Sequence, residues 1–527
     1  MGCPEPQPCP TCPKQQARPT CPKQPACPKP AAAPAVPRPP RRLRMPWQPL
    51  LSASEVLRGL SYYGSGERMR ALAAKLQAGE PIKAFTLGGS VTKGQGAAKP
   101  ELGYPARLFQ FINATWPHKD HQLVNKGIGG TSSGVYSACA EQMVGQDPDL
   151  LIVEFTINEK PDEPYTSSYR RGYEQLLRKL LRLPSRPAVL QMHHYAWWRA
   201  EGDGVDQGLF YVPQAESQLT VFSQYYDMPS VSLRSAVYQH MKAGVPGFKV
   251  DKVWNRNRKT TQGVHLEQAP KKERDQYFFY DRTHPNDRGH QMIAELLAST
   301  LIKAAAEQAE GWEAAIGAAA GWAPEREPNS SAGLPPPMIP GNADVPTSLC
   351  AIQEGFKPVV VAQQGFEYRA ERPQEETFVG QKWGWTGTQP GHWAELQFDS
   401  RDLGLPEVQA GKDLSADWDR SAEVYLTHLK GYQGFGTAAV DCVRGCRCSG
   451  NGRILDGTWK QDATLMQIHR FQVTQHKKCR VRITVRPEPG EVPQKGHKVT
   501  LTAIMVSHFP IRLKTYEDQA EQVASLV

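Results

Sequence analysis

Between residues 49 and 310 the apolar positions switch repeatedly between two periods. Residues 83–87 form a short apolar run that stops at Gly88-Gly89-Ser90, and residues 104–116 repeat their apolar side chains at helical spacing. Residues 122–125 read as a second strand, closing on Gly127-Ile128-Gly129-Gly130, and a helix is predicted over 132–144. Residues 150–156 are apolar except for the polar stop at Glu154, as suits a parallel strand buried on both faces. An amphipathic helix follows over 165–183, then a strand over 188–192, a helix over 212–226 and a strand over 230–233. Pro285, with a fixed φ and no N–H to lose, suits the first position of a last helix running to about residue 306. This alternation predicts an α/β unit: a three-layer, doubly wound parallel sheet of the flavodoxin-like type. In such sheets reactive groups gather beyond the carboxyl ends of the strands.

The pattern changes on either side. Residues 1–48 are rich in Pro, Cys, Lys and Ala and carry too few large apolar side chains to bury a core, which predicts a disordered or polyproline-like segment. Residues 311–345, with Pro-Asn-Ser-Ser and Pro-Pro-Pro, read as a linker. From 346 to 512, short Val-, Thr- and aromatic-rich runs such as 393–398, 422–429, 465–473, 479–485 and 498–506 lie between turn residues. They predict a separate all-β, sandwich-like domain, a candidate glycan binder, followed by a tail over 513–527.

Charge adds little. The net charge of +9 over 527 residues is modest, and the basic runs at 249–259 and at Lys271, Lys272 and Arg274 read as solvated loops. No basic stripe with interleaved stacking aromatics is visible, so nucleic acid is not an expected partner. A basic rim could steer an acidic polysaccharide. Five of the 11 cysteines fall in the first segment, and Cys350, Cys442, Cys446, Cys448 and Cys479 fall late, with Cys139 between. The late group suits either disulfides in an oxidising compartment or zinc; the unusual Cys442-x-x-x-Cys446-x-Cys448 spacing favours disulfides. A secreted or cell-surface location is expected on that ground, although no signal peptide or membrane-spanning run is visible.

Unusual residues stand at three strand ends: Ser90, the glycines up to Gly130, and Asn158. A fourth cluster is Asp281-Arg282-Thr283-His284-Pro285, in which a carboxylate three residues from an imidazole can fix its tautomer and leave its other nitrogen to accept a proton. Together they supply a nucleophile, a base with its orienting carboxylate, and oxyanion donors, as acyl transfer requires. Each alone has an ordinary use: Ser90 as a helix cap, the glycines and Asn158 as turn residues. His193, His194, Trp197 and Trp198 read as structural or surface groups. Neither a phosphate-cradling nor a dinucleotide-binding loop is complete, so no cofactor and no metal are expected.

Over about residues 80–305 the chain resembles the SGNH (GDSL-type) hydrolases. Gly88-Gly89-Ser90, Asn125 to Gly130, Thr156-Ile157-Asn158-Glu159 and Asp281-x-x-His284-Pro285 follow the order of that family's blocks. Gly89 replaces the family's Asp, Thr156 its Gly and Glu159 its Asp. The resemblance implies a serine esterase with Ser90, His284 and Asp281 as its triad. Its oxyanion hole would be built from the Ser90 and Gly130 N–H groups and the Asn158 amide. The implied substrate is a small ester, such as an acetyl group on a carbohydrate. Transfer of the acyl group to a polysaccharide hydroxyl, or a non-catalytic carbohydrate-binding role, are the alternatives.

Overall fold

The computed structural model describes residues 45–196, 214–243, 245, 247–248, 278–280, 283–310, 333–342, 347–371, 382–450, 452–460 and 464–508. The first 44 residues, Trp197 and Trp198, both basic runs, Asp281, most of the 311–345 stretch and the tail lie outside them.

The first part of the chain builds a six-stranded sheet in the order β1-β6-β5-β4-β2-β3. Its strands are β1 (Leu60–Tyr62), β2 (Lys83–Gly88), β3 (Gln122–Asn125), β4 (Leu150–Glu154), β5 (Ala188–His193) and β6 (Ser230–Ser232). All neighbours run parallel except β1, which lies antiparallel on β6 at the edge. Chain order therefore reverses at β2, which sits between β3 and β4, and this switch point is where doubly wound sheets bind ligands.

Each strand of the centre is apolar on both sides because helices cover both faces. Leu150 and Ile152 of β4 pack with α2 (Glu67–Gln77), α4 (Tyr104–Thr115), α8 (Leu233–Lys242) and α9 (Asp287–Glu310). Leu151 and Val153 pack with α5 (Ser133–Val144), α6 (Ser168–Leu181) and α7 (Glu216–Tyr225). In α6 the i, i+3, i+4, i+7 set Tyr173, Leu176, Leu177 and Leu180 is fully buried, and Ser167 caps the helix by accepting from the Arg170 N–H. A short helix α1 (Ala53–Gly59) opens the domain with a capping box of Ser52 and Glu55, and α3 (Ser90–Lys93) is a single turn after β2.

The second part is a sandwich of two antiparallel sheets. One has the order β15 (Leu465–Val473), β12 (Ala422–Lys430), β17 (Val499–Ser507), β10 (Trp383–Gly387), β9 (Glu367–Ala370), with β7 (Leu349–Ile352) also on β17; the other runs β14 (Ile454–Asp456), β13 (Thr437–Arg444), β16 (Cys479–Val485), β11 (Trp393–Phe398), β8 (Val360–Gln364). Val424 and Leu426 of β12 (Ala422–Lys430) and Ile504 of β17 (Val499–Ser507) face Leu396, Val440, Val481 and Ile483 across the interior. Strand β12 is buried over all nine residues. Its other face, Tyr425 and Leu429, joins Met466 and Ile468 of β15 (Leu465–Val473) and Met505 against α5 and α6. Within 333–342, Leu334 and Ile339 are buried. The buried Glu174 of α6 accepts from Met338 N, Ile339 N, Tyr226 OH and Asn342 Nδ2, which fixes that stretch to the α/β domain.

Candidate active site

The sharp exit from β2 sets the position of Ser90. A Cβ on Gly88 would lie 2.0 Å from Thr92 Oγ1 and 2.4 Å from the Glu154 carbonyl oxygen, so the turn closes only around glycine. Ser90 then opens α3, with Lys93 N donating to Gly89 O and Gly94 N to Ser90 O.

A second loop brings His284 onto this turn. Tyr280 N donates to His284 O, Asn286 N donates to Phe278 O, and Phe279 bridges Pro285, so 278–280 and 284–286 lie antiparallel side by side. Pro285, expected to open the last helix, belongs instead to this paired segment. Asn286 takes the capping role, accepting from Arg288 N and Gly289 N, and α9 starts at Asp287. The result is a distance of 2.7 Å between Ser90 Oγ and His284 Nε2, across 194 positions of sequence. Asp281 lies outside the described residues.

The two loops are also braced directly. Ala98 N donates to Asp287 Oδ1, His290 Nε2 lies 3.0 Å from Gln95 O, and Gly96, at φ +91°, would put a Cβ 2.0 Å from Pro285 O. Burial pushes the His290 imidazole down to about 3, so it works here as a neutral strut.

The oxyanion candidates lie on the same rim. Gly129 comes within contact of Ser90, 3.8 Å from an ideal Cβ to the serine Cβ, and Gly130 has φ +67°, which favours glycine. The Asn158 side chain lies against Gly89: a Cβ there would be 2.0 Å from Oδ1 and 2.9 Å from Nδ2. Glu159 ties the asparagine turn to the glycine block, accepting from Ser133 N at 2.9 Å and Ser133 Oγ at 2.6 Å, with Arg170 Nη1 3.5 Å from its other oxygen. Thr156, in place of the family's glycine, lies 2.9 Å from His193 Nδ1. Burial, helped by Arg234, pushes His193 down to about 3. His194 Nε2 lies 2.8 Å from the Thr283 carbonyl oxygen and holds the residue before His284. Both histidines are buried, so neither is a surface group. The sequence carried no signal for these bracing contacts, since each joins residues on separate elements.

No family model matches the sequence, and neither does any curated protein. Among solved structures, a two-domain esterase (CEX) active on acetylated mannans superposes with a TM-score of 0.52 at 21% identity, over 86% of this chain and 98% of that one. Its structure co-crystallized with mannopentaose gives 0.51 at 20% identity, over 86% and 99%. A variant of Axe2, an acetyl xylan esterase from Geobacillus stearothermophilus, matches 42% of this chain and 94% of its own at 19% identity, with a TM-score of 0.27. The fold, a parallel α/β sheet followed by an antiparallel β sandwich, is shared with that two-domain esterase. At these identities the likeness is one of fold.

The late cysteines pair as disulfides: Cys442 with Cys448 and Cys446 with Cys479, while Cys139 of α5 joins Cys350 of β7 across 211 positions. The sulfurs of Cys442, Cys446 and Cys479 converge as metal ligands could, but all three are engaged in these bridges. Among the described residues no helix is long and apolar enough to cross a membrane.

Proposed function

We propose that the protein is a serine ester hydrolase acting on small acyl esters of carbohydrate, acetyl esters first. The observation that carries this reading is the 2.7 Å approach of Ser90 Oγ to His284 Nε2 at the switch point of the sheet, on the rim shared with Gly130 and Asn158. His284 Nε2 takes the Ser90 proton as Oγ attacks the ester carbonyl carbon. Asp281 orients the imidazole through Nδ1–H. The oxyanion is held by the Ser90 and Gly130 N–H groups and by Asn158 Nδ2. The imidazolium returns its proton to the leaving sugar oxygen, leaving an acyl-serine. Water, deprotonated by the same imidazole, then releases the acid and restores Ser90.

The carbohydrate side of the proposal draws on the shared fold with an esterase active on acetylated mannans. The three disulfides among the described residues fit a secreted or cell-surface setting, where the acylated polysaccharide would be met. Ser90→Ala is expected to abolish acetate release from acetylated oligosaccharides while leaving the melting temperature unchanged, and a fluorophosphonate is expected to label Ser90 in the native chain. Turnover by the variant at the native rate would overturn the proposal.

A further inference from the structure

Glu154 interrupts the apolar run of β4, and the proposed chemistry gives it no task. It is fully buried at the carboxyl end of the strand, in register with Gly88 of β2, directly beneath the nucleophile turn. Its Oε2 accepts from Thr92 Oγ1 at 3.0 Å, and Thr92 Oγ1 lies 2.8 Å from Tyr104 OH. Asn125 Nδ2 donates to Thr92 O at 2.8 Å, so Thr92 is held at both its hydroxyl and its carbonyl. Thr92 belongs to the same single helical turn as Ser90.

We propose that Glu154 is a positioning residue: it holds Thr92 from below and thereby sets where Ser90 points. The role rests on Ser90 being the nucleophile. A four-residue helix has little rigidity of its own, and Thr92 is its anchor to the sheet.

The neutral acid is the form that fits the site. Glu154 Oε1 is buried without a hydrogen-bond partner, and an ionised carboxylate would leave it bare. The groups that face it are hydroxyls and rings rather than a matched ion pair. They are Thr92, Tyr104 of α4, which stacks on the neutral His290 of α9, and, across the sheet, Tyr173 of α6. Lys93 follows Thr92, and burial lowers its ammonium below the usual lysine range. Burial raises the Glu154 carboxyl to about 7, only partly opposed by Thr92. Ionisation above that pH places a charge under α3, favours entry of water, and shifts the turn that carries Ser90. Misplacement of a nucleophile by about 1 Å can cost up to about 10²-fold in rate.

The role is tested with Glu154→Gln and Thr92→Val on the full chain. The native enzyme is expected to lose activity twice: on the acid side, as the base is protonated, and on the alkaline side, with kcat falling about tenfold by a pH of about 9 and KM unchanged. Glu154→Gln keeps an acceptor for Thr92 but cannot ionise, so it is expected to retain the acid limb and lose the alkaline fall. Thr92→Val is expected to lower kcat about tenfold at every pH without raising KM, and to slow fluorophosphonate labelling of Ser90 equally. An alkaline fall unchanged in Glu154→Gln, or native kcat in Thr92→Val, would overturn the role; if the glutamine variant does not fold, Thr92→Val decides. The infrared carbonyl band of a protonated carboxylic acid, present at a pH of about 6 and absent from Glu154→Gln, reads the acid without using Ser90. Absence of that band in the native chain, with Ser90→Ala inactive, would sink the Glu154 role alone. An active Ser90→Ala would sink the serine reading and this role with it.

Discussion

Gly89 is the position at which a single methyl group should separate activity from stability. An ideal Cβ on Gly89 would lie 2.0 Å from Asn158 Oδ1, 2.6 Å from Cγ and 2.9 Å from Nδ2. Ordinary carbon contacts begin near 3.5 Å, so Gly89→Ala must drive the amide away by about 1 Å or more. The obstacle is the tip of one side chain, not backbone, and the φ of −83° at Gly89 lies outside the left-handed region. Folding should therefore be little affected. Catalysis should not be spared, because oxyanion donors act only within a narrow range of about 2.7–3.1 Å, and losing one costs about 10²–10³ in kcat, or about 3–4 kcal/mol. The assay is kcat on an acetyl ester alongside thermal melting, for Gly89→Ala, Asn158→Ala and the pair. Each single change is expected to lower kcat about 10²-fold with a small change in melting temperature. The double variant is expected to match Asn158→Ala alone, since the amide that the methyl displaces is already gone. Gly89→Ala within about threefold of native kcat, or fully additive losses, would refute the assignment of Asn158 as an oxyanion donor pressed against Gly89.

Two further outcomes follow from buried groups. The Glu154 carboxyl is raised from an ordinary 4.5 to about 7, so the folded chain keeps a proton that the unfolded chain loses between those values. Stability from this group is complete below about 4.5, declines as the pH rises, and is lost above about 7, at a total of about 3 kcal/mol. Glu154→Gln should therefore gain in melting temperature over the native protein as the pH rises through that window, and a difference independent of pH would contradict the raised ionisation. The Cys139–Cys350 bridge closes 211 positions of chain, a loop whose constraint is worth about 5 kcal/mol on entropic grounds. The double Cys139→Ser, Cys350→Ser variant should unfold at a clearly lower denaturant concentration than the native chain, and an unchanged midpoint would show that the bridge constrains nothing.

The parallel sheet was legible because β2 and β4 are largely apolar and, with the short β3, lead into residues of a different kind: Ser90, the glycines and Asn158. Where burial comes from a distant partner, the same reading thins out. Helix α8 begins immediately after β6, Ser232 serving as strand end and cap at once, and no turn residues mark the change. On β12, Val424 and Leu426 carry the period of a one-sided strand, but Tyr425 and Leu429 are buried too, against α5 and α6 of the other domain. Pro-rich composition made 311–345 read as a linker. The grip on 333–342 comes from Glu174, one carboxylate on an amphipathic helix whose four bonded partners lie elsewhere in the chain. Local period reports which face is apolar; it does not report what will cover that face.

The departures from the SGNH blocks gain a physical sense from the same contacts. Glycine at 89 leaves the space that Asn158 fills. Glutamate at 159 is one methylene longer than aspartate, and it spans from the asparagine turn to the first N–H and hydroxyl of α5. That helix follows Gly130 by three residues and carries Cys139, the link to β7. Thr131, next to Gly130, meets Met466 of β15, with Oγ1 3.9 Å from the sulfur. The glycine block is thus bounded by Glu159 on one side and by the sandwich on the other. A change in the packing of β15 therefore reaches the backbone proposed to stabilise the oxyanion through one residue, whereas a change in β16 (Cys479–Val485), which lies in the far sheet, must pass through the whole sandwich interior first.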